Sequence, residues 1–235
     1  MIARALLCLW MLIPVPVLAD GENPVSKLRS GGGPEPDHLL PVDPYPGEWG
    51  NTYRKALYEK FGLDRFHVAR MLITPADEAE SVVDLVGDVK SFDFKSSKSF
   101  SLICIKADQS IWESLPLNNE EGVKKQVGTR ISKADVPAEL AAKIYGLWER
   151  IVLRSRYSKD WSPGEDGVYV EFFIQIGHGM IWNPRDRKSP LLSVELGQSM
   201  MAYCEAGPAQ REEKLKEIGV KADLLEKYLD EHPLQ

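Results

Sequence analysis

Residues 168–176 read VYVEFFIQI, and this alternation decides the fold. Side chains on a strand point to opposite faces with a period of two. Val168, Val170, Phe172, Ile174 and Ile176 therefore share one apolar face, while Tyr169, Glu171 and Phe173 share the other. Gly177-His178-Gly179 supplies turn residues able to adopt positive φ, and Met180 to Trp182 returns as the second arm of a hairpin.

Upstream, strand-like segments run from Phe66 to Ile73, Glu80 to Val86 and Ser99 to Lys106. In the last of these, Phe100, Leu102 and Cys104 share a face opposite Ser101, Ile103 and Ile105. A short helix over about Thr52 to Phe61 opens the folded part, and Asn118 to Lys125 is a polar loop. Ala134 to Arg156 reads as the clearest helix, with Asp135 as N-cap and Pro137 in its first turn. Leu140, Ile144, Leu147 and Ile151, with Ala141, Tyr145, Trp148 and Val152 beside them, form its apolar stripe. Leu191 to Ala206 is a helix stopped by Gly207-Pro208, and Gln210 to Asp230 a charged helix nicked at Gly219. Strands first and helices last, without βαβ alternation, imply an α+β fold: an antiparallel sheet packed against helices.

The chain has 235 residues, 43% hydrophobic and 27% charged, with a net charge of −6. This is the composition of one globular domain with appendages. The acidic, unclustered charge argues against a nucleic-acid partner, whose phosphates need a basic face. The first 19 residues, MIARALLCLWMLIPVPVLA, have Arg4 at the start, an apolar run and a compact Val17-Leu18-Ala19 ending, as in a secretory signal peptide. The run is short of the roughly 20 residues that cross a bilayer and is broken by Pro14 and Pro16, so no membrane span is expected after cleavage. Residues 20–50 hold six Pro and six Gly, the composition of a flexible tether, which leaves 51–235 as a single domain. Export to the periplasm or beyond places Cys104 and Cys204 in an oxidising compartment, where they form either a disulfide or two separately buried thiols.

Templates for nucleophilic catalysis are missing. There is no G-x-S-x-G, S-x-x-K or Walker A sequence, and Gly197-Gln198-Ser199-Met200-Met201 lacks the second glycine. No two His or Cys lie within five residues, so no metal site and no cofactor is read. Asp160 to Glu171 mimics a calcium loop, but Glu165 stands where the sharp turn requires Gly.

The candidate binding residues are Arg154, Arg156, Tyr157, Asp166, Tyr169, His178 and Trp182, drawn from an aromatic and basic cluster between Trp148 and Lys188. Exposed Trp, Tyr and Arg make good anchors for a partner or glycan, whereas the plainer use of the same rings is core packing. Three signatures run through this region: LWERIVLRSRY, EDGVYVEFF, and a G-x-G-x-x-W-N-P followed by a Leu-rich helix ending in Tyr203. Over residues 147–203 the chain resembles exported bacterial proteins of unknown function. The resemblance implies a shared fold and export, and carries no activity. The expectation is thus an exported binding module for an envelope or extracellular protein or glycan. The alternatives are a small hydrolase using acidic groups and His178, and an inhibitor presenting the loop Ser158 to Gly164.

Overall fold

The computed structural model describes residues 35–42, 48–87, 99–116, 125–159 and 167–233. Six antiparallel strands form one sheet in the order β4-β3-β2-β1-β5-β6: β1 (Ala69–Pro75), β2 (Ser81–Gly87), β3 (Phe100–Ala107), β4 (Thr129–Val136), β5 (Val168–Ile174) and β6 (Gly177–Trp182). The helices are α1 (Glu48–Phe61), α2 (Ile111–Ser114), α3 (Ala138–Val152), α4 (Ser189–Glu205) and α5 (Arg211–Glu231). The fold is α+β, as the hairpin pattern implies.

The period of two sorts the sheet into two cores. Met71, Val83, Leu102, Val170 and Phe172 face α3, α4 and α5, with the Trp148 ring edge-on to Phe172 at 5.4 Å. Leu72, Val82 and Ile105 face the opposite way, under Ala56, Leu57 and Phe61 of α1 and Ile111 of α2. Each such side chain stabilises the fold by roughly 1.5–3 kcal/mol on burial. The second core also holds the cross-strand pair Arg70–Asp84, both about 2% exposed, with Nε to Oδ1 at 2.6 Å and Nη2 to Oδ2 at 2.9 Å. Arg70 Nη1 donates to the Leu63 carbonyl, so the guanidinium ties β1, β2 and the chain after α1 together. Cys104 on β3 and Cys204 on α4 form a disulfide, with Cα atoms 6.3 Å apart.

Several local expectations are corrected. The residues Ala134 to Val136 belong to β4, and α3 begins after Pro137, so Asp135 is no helix cap. Its carboxylate accepts from Ser101 Oγ and its carbonyl from Tyr203 Oη. Strand β4 was missed because its sequence TRISKADV alternates weakly, as expected of a solvent-facing edge. Helix α5 runs through Gly219 unbroken, since a single glycine weakens a helix without ending it. In the β5–β6 hairpin the turn is Gln175-Ile176, leaving Ile176 exposed instead of in the core row. Gly177 and Gly179 are strand residues without positive φ.

The segment read as a tether is docked over residues 35–42, and the rest of 20–47 and the leader lie outside the described residues. Leu40 exchanges backbone hydrogen bonds with Met180 on the free edge of β6, at 2.7 and 2.8 Å, and Leu39 is fully buried. Arg156 N–H donates to the Leu39 carbonyl from the other side. Gly179 makes this strap possible: a Cβ there would collide with Leu39 and with Ser155 Oγ. The Pro and Gly count was a poor guide because a strand-edge strap needs few apolar side chains, and Leu39 and Val42 suffice.

Candidate functional site

The aromatic and basic cluster between Trp148 and Lys188 is split by the fold. Helix α3 covers the Val170 and Phe172 face of β5, so Tyr169, Glu171 and Phe173 turn to the α1 side. Tyr169 and Phe173 are half-buried there, and Trp182, opposite Tyr169 on β6, is buried in contact with Gly167. His178 is exposed and packs against Phe173 with ring centroids 5.7 Å apart; burial first, then Arg54, holds its pKa below the ordinary value. Arg154, Arg156 and Tyr157 follow α3 at the strap, on another part of the surface, with Tyr157 80% exposed. Asp166, like Trp161 and most of the loop Ser158 to Gly164, lies outside the described residues.

What gathers around Tyr169 is a cleft of about 510 Å³ between the sheet, α1 and α2. Thr74, Tyr169 and Glu171 form its floor, Tyr53, Arg54 and Leu57 one wall, Trp112 another, and Pro75 to Asp77 the rim. Helix α1 presents this wall because Tyr53, Leu57 and Phe61 recur every four residues, which places them on one stripe. Helix α2 is set by Ser110 Oγ, which accepts from Glu113 N–H, and by the fully buried Glu80. Glu80 accepts from Ile111 N–H at 2.7 Å, Trp112 N–H at 3.1 Å and Tyr53 Oη at 2.7 Å. One carboxylate thus fixes both aromatic walls, whose rings meet edge to face at 5.2 Å. Burial, with Glu80 beside it, pushes the Tyr53 phenol far up, so it stays a neutral donor.

Glu171 is the group with chemical potential. Its side chain is 11% exposed, and Arg54 Nη2 reaches its Oε2 at 2.8 Å. Burial raises its pKa above the usual carboxylate value and Arg54 opposes the rise. The cleft therefore offers three rings, a threonine hydroxyl, a carboxyl with an affinity for protons, and a guanidinium, the mixture of apolar surface and few fixed polar groups that small-molecule sites use.

No family model, curated protein or solved structure matches the chain. Among the described residues no group of three His, Cys, Asp or Glu could hold a metal ion, and no helix is long and apolar enough to cross a membrane. A second concavity of about 380 Å³ lies beside the disulfide, between α4 and the ends of β1 to β4. It is floored by Ile73, Cys104 and Met201, and on its rim Arg130 and Glu205 neutralise one another at 3.0 Å.

The period of two places Tyr169 and Glu171 on one face of β5, as the structure has them, but gives no sign of Tyr53, Arg54 and Trp112, which line the same cleft, or of Glu80, which holds two of them. Of these only Tyr53 carried a signal, its four-residue spacing from Leu57 and Phe61 on α1. The approach of α1 and α2 to β5 is a tertiary fact with no local trace.

Proposed function

We propose that the protein is an exported binding module, periplasmic or secreted, whose α1–α2–β5 cleft takes a glycan. The observation that carries this reading is the framing of the paired Arg54 and Glu171 by the rings of Tyr53, Trp112 and Tyr169. A sugar has apolar faces edged by hydroxyls, so it suits aromatic walls with hydrogen-bonding groups between them. Export rests on the N-terminal leader pattern and on the resemblance over residues 147–203, and the disulfide fits an oxidising compartment.

A second reading, a small hydrolase, is favoured by one observation: a buried carboxyl with a raised pKa is the form in which a general acid is held. The two separate in one experiment. Soluble oligosaccharides from a bacterial envelope are incubated with the mature protein and followed by mass spectrometry and by titration calorimetry. The module binds them and returns them intact. Turnover that disappears in Glu171→Gln establishes the hydrolase, and neither binding nor turnover overturns both.

A further inference from the structure

The α1–α2–β5 cleft carries a charge pattern that a neutral sugar does not use. Its lining holds two carboxylates, Glu171 and Asp77, and one guanidinium, Arg54. Arg54 is taken up by Glu171, 2.8 Å away. We propose that the cleft selects a glycan unit bearing a free ammonium group, an amino sugar, held between the three rings and Asp77. This rests on the glycan reading and names the class of sugar within it.

The rings give the first argument. The planes of Tyr53 and Trp112 stand 79° apart with centroids at 5.2 Å, so two aromatic walls meet in a corner. Tyr169 adds a third ring from the floor of the same cleft. A cation against aromatic faces is attracted by the ring quadrupole, and more strongly as water is excluded. A hydroxyl in the same corner gains no such charge–quadrupole attraction.

The walls are also backed by negative charge. Glu80 is fully buried behind them and accepts from Tyr53 Oη at 2.7 Å, from Ile111 N–H at 2.7 Å and from Trp112 N–H at 3.1 Å. These partners are a phenol and two amides, none of them charged, so they solvate the carboxylate without cancelling its charge. A phenol that donates to a carboxylate is polarised, which leaves its ring more negative and a better face for a cation. The Tyr53 phenol is pushed far up by burial, then by the charge and hydrogen bond of Glu80 and by the charge of Glu171. The field of both carboxylates therefore reaches this wall.

The rim completes the pattern. Asp77 is exposed there and engages no cation among the described residues. The cleft and its walls thus set Asp77, Glu80 and Glu171 against the single guanidinium of Arg54, an excess of negative charge. An ammonium ligand meets that excess with the rings around it. A uronate would face the same carboxylates, with the one guanidinium already held by Glu171.

The test titrates the chain that starts at residue 20, by calorimetry at pH 6.5, with three tetrasaccharides of one β-linked glucose backbone. They differ only at C2, which bears an amine, an acetamide or a hydroxyl. At this pH the amine is largely protonated, as an α-amino group is. The amine form should bind about tenfold more tightly than the other two. Asp77→Asn, at an exposed position, should cut that preference by about threefold and leave the two neutral forms unchanged. Equal affinity for all three, or preference for a neutral form, overturns the inference and leaves the glycan reading standing. A preference undiminished in Asp77→Asn reports attraction to an acidic surface at large and overturns it as well. If envelope oligosaccharides bind and none of the tetrasaccharides does, only the amino-sugar inference falls; if nothing binds, both fall.

Discussion

Arg54 and Glu171 meet at 2.8 Å although 117 positions separate them in the chain. The pair fastens the first helix to the fifth strand and sets the polar floor of the aromatic cleft. It also makes stability depend on pH with a definite sign. The folded state holds the Glu171 proton more tightly than the unfolded chain does, because burial raises its pKa above 4.5. Its contribution is therefore full below the unfolded pKa and is lost as pH rises through the folded value. Glu171→Gln should gain on the wild type in urea midpoints as pH increases from 4 to 8. Arg54→Ala, which removes the opposing charge, should make the loss steeper. A difference between wild type and Glu171→Gln that is flat across this range contradicts the assignment.

The Arg70–Asp84 pair is more deeply enclosed and has no cleft to open into. Asp84→Ala leaves a guanidinium buried with one carbonyl partner and should cost about 3–5 kcal/mol. Replacing both residues with apolar side chains of similar volume should restore most of that loss. Equilibrium urea unfolding of the two variants measures it, and Asp84→Ala within 1 kcal/mol of the wild type (about one fifth of the stability of a marginal domain) would show that the pair carries little.

The disulfide closes a sequence separation of 100 residues. Loss of it through Cys204→Ser, paired with Cys104→Ser, should lower stability by about 2–4 kcal/mol. Thiol labelling of a denatured, unreduced chain that starts at residue 20 should find no free cysteine. Two labelled thiols would refute the bridge.

The strap gives a graded truncation. Extending an N-terminal deletion from residue 34 to residue 42 removes the buried Leu39 and the pairing with β6 and should lower Tm. Leu39→Ala alone should cost about 2–5 kcal/mol. Gly179→Ala should mimic the longer deletion by pushing the strap off the edge. Differential scanning calorimetry of these four chains checks the series, and equal Tm values would mean the strap contributes nothing in solution.

The fold was legible wherever one face of an element is apolar. The rows Phe100-Leu102-Cys104 and Val168-Val170-Phe172-Ile174 and the α3 stripe sit in the core as their spacing requires. Legibility failed at exposed pieces: β4 has one solvent face, and the strap at 35–42 borrows its partner from β6. The site was half visible. The period of two placed Tyr169 and Glu171 together, but it could not say which helix stands above them. The cluster of Arg and Trp proved to be three places: Trp182 is core, Tyr169 belongs to the cleft, and Arg154 and Arg156 to the strap. Neighbours in sequence were separated because β5 and the end of α3 face different sides of the sheet.

The central claim is that the rings of Tyr53, Trp112 and Tyr169 bind a ligand, and the most direct measurement is calorimetric titration of wild type and Tyr169→Ala with the same envelope oligosaccharide. Tyr169 is half-buried, so its truncation should leave a folded chain within about 2 kcal/mol of wild-type stability by area. The wild type should bind, and Tyr169→Ala should lose at least tenfold in affinity, about 1.4 kcal/mol. Equal affinity in a variant of wild-type fold contradicts it.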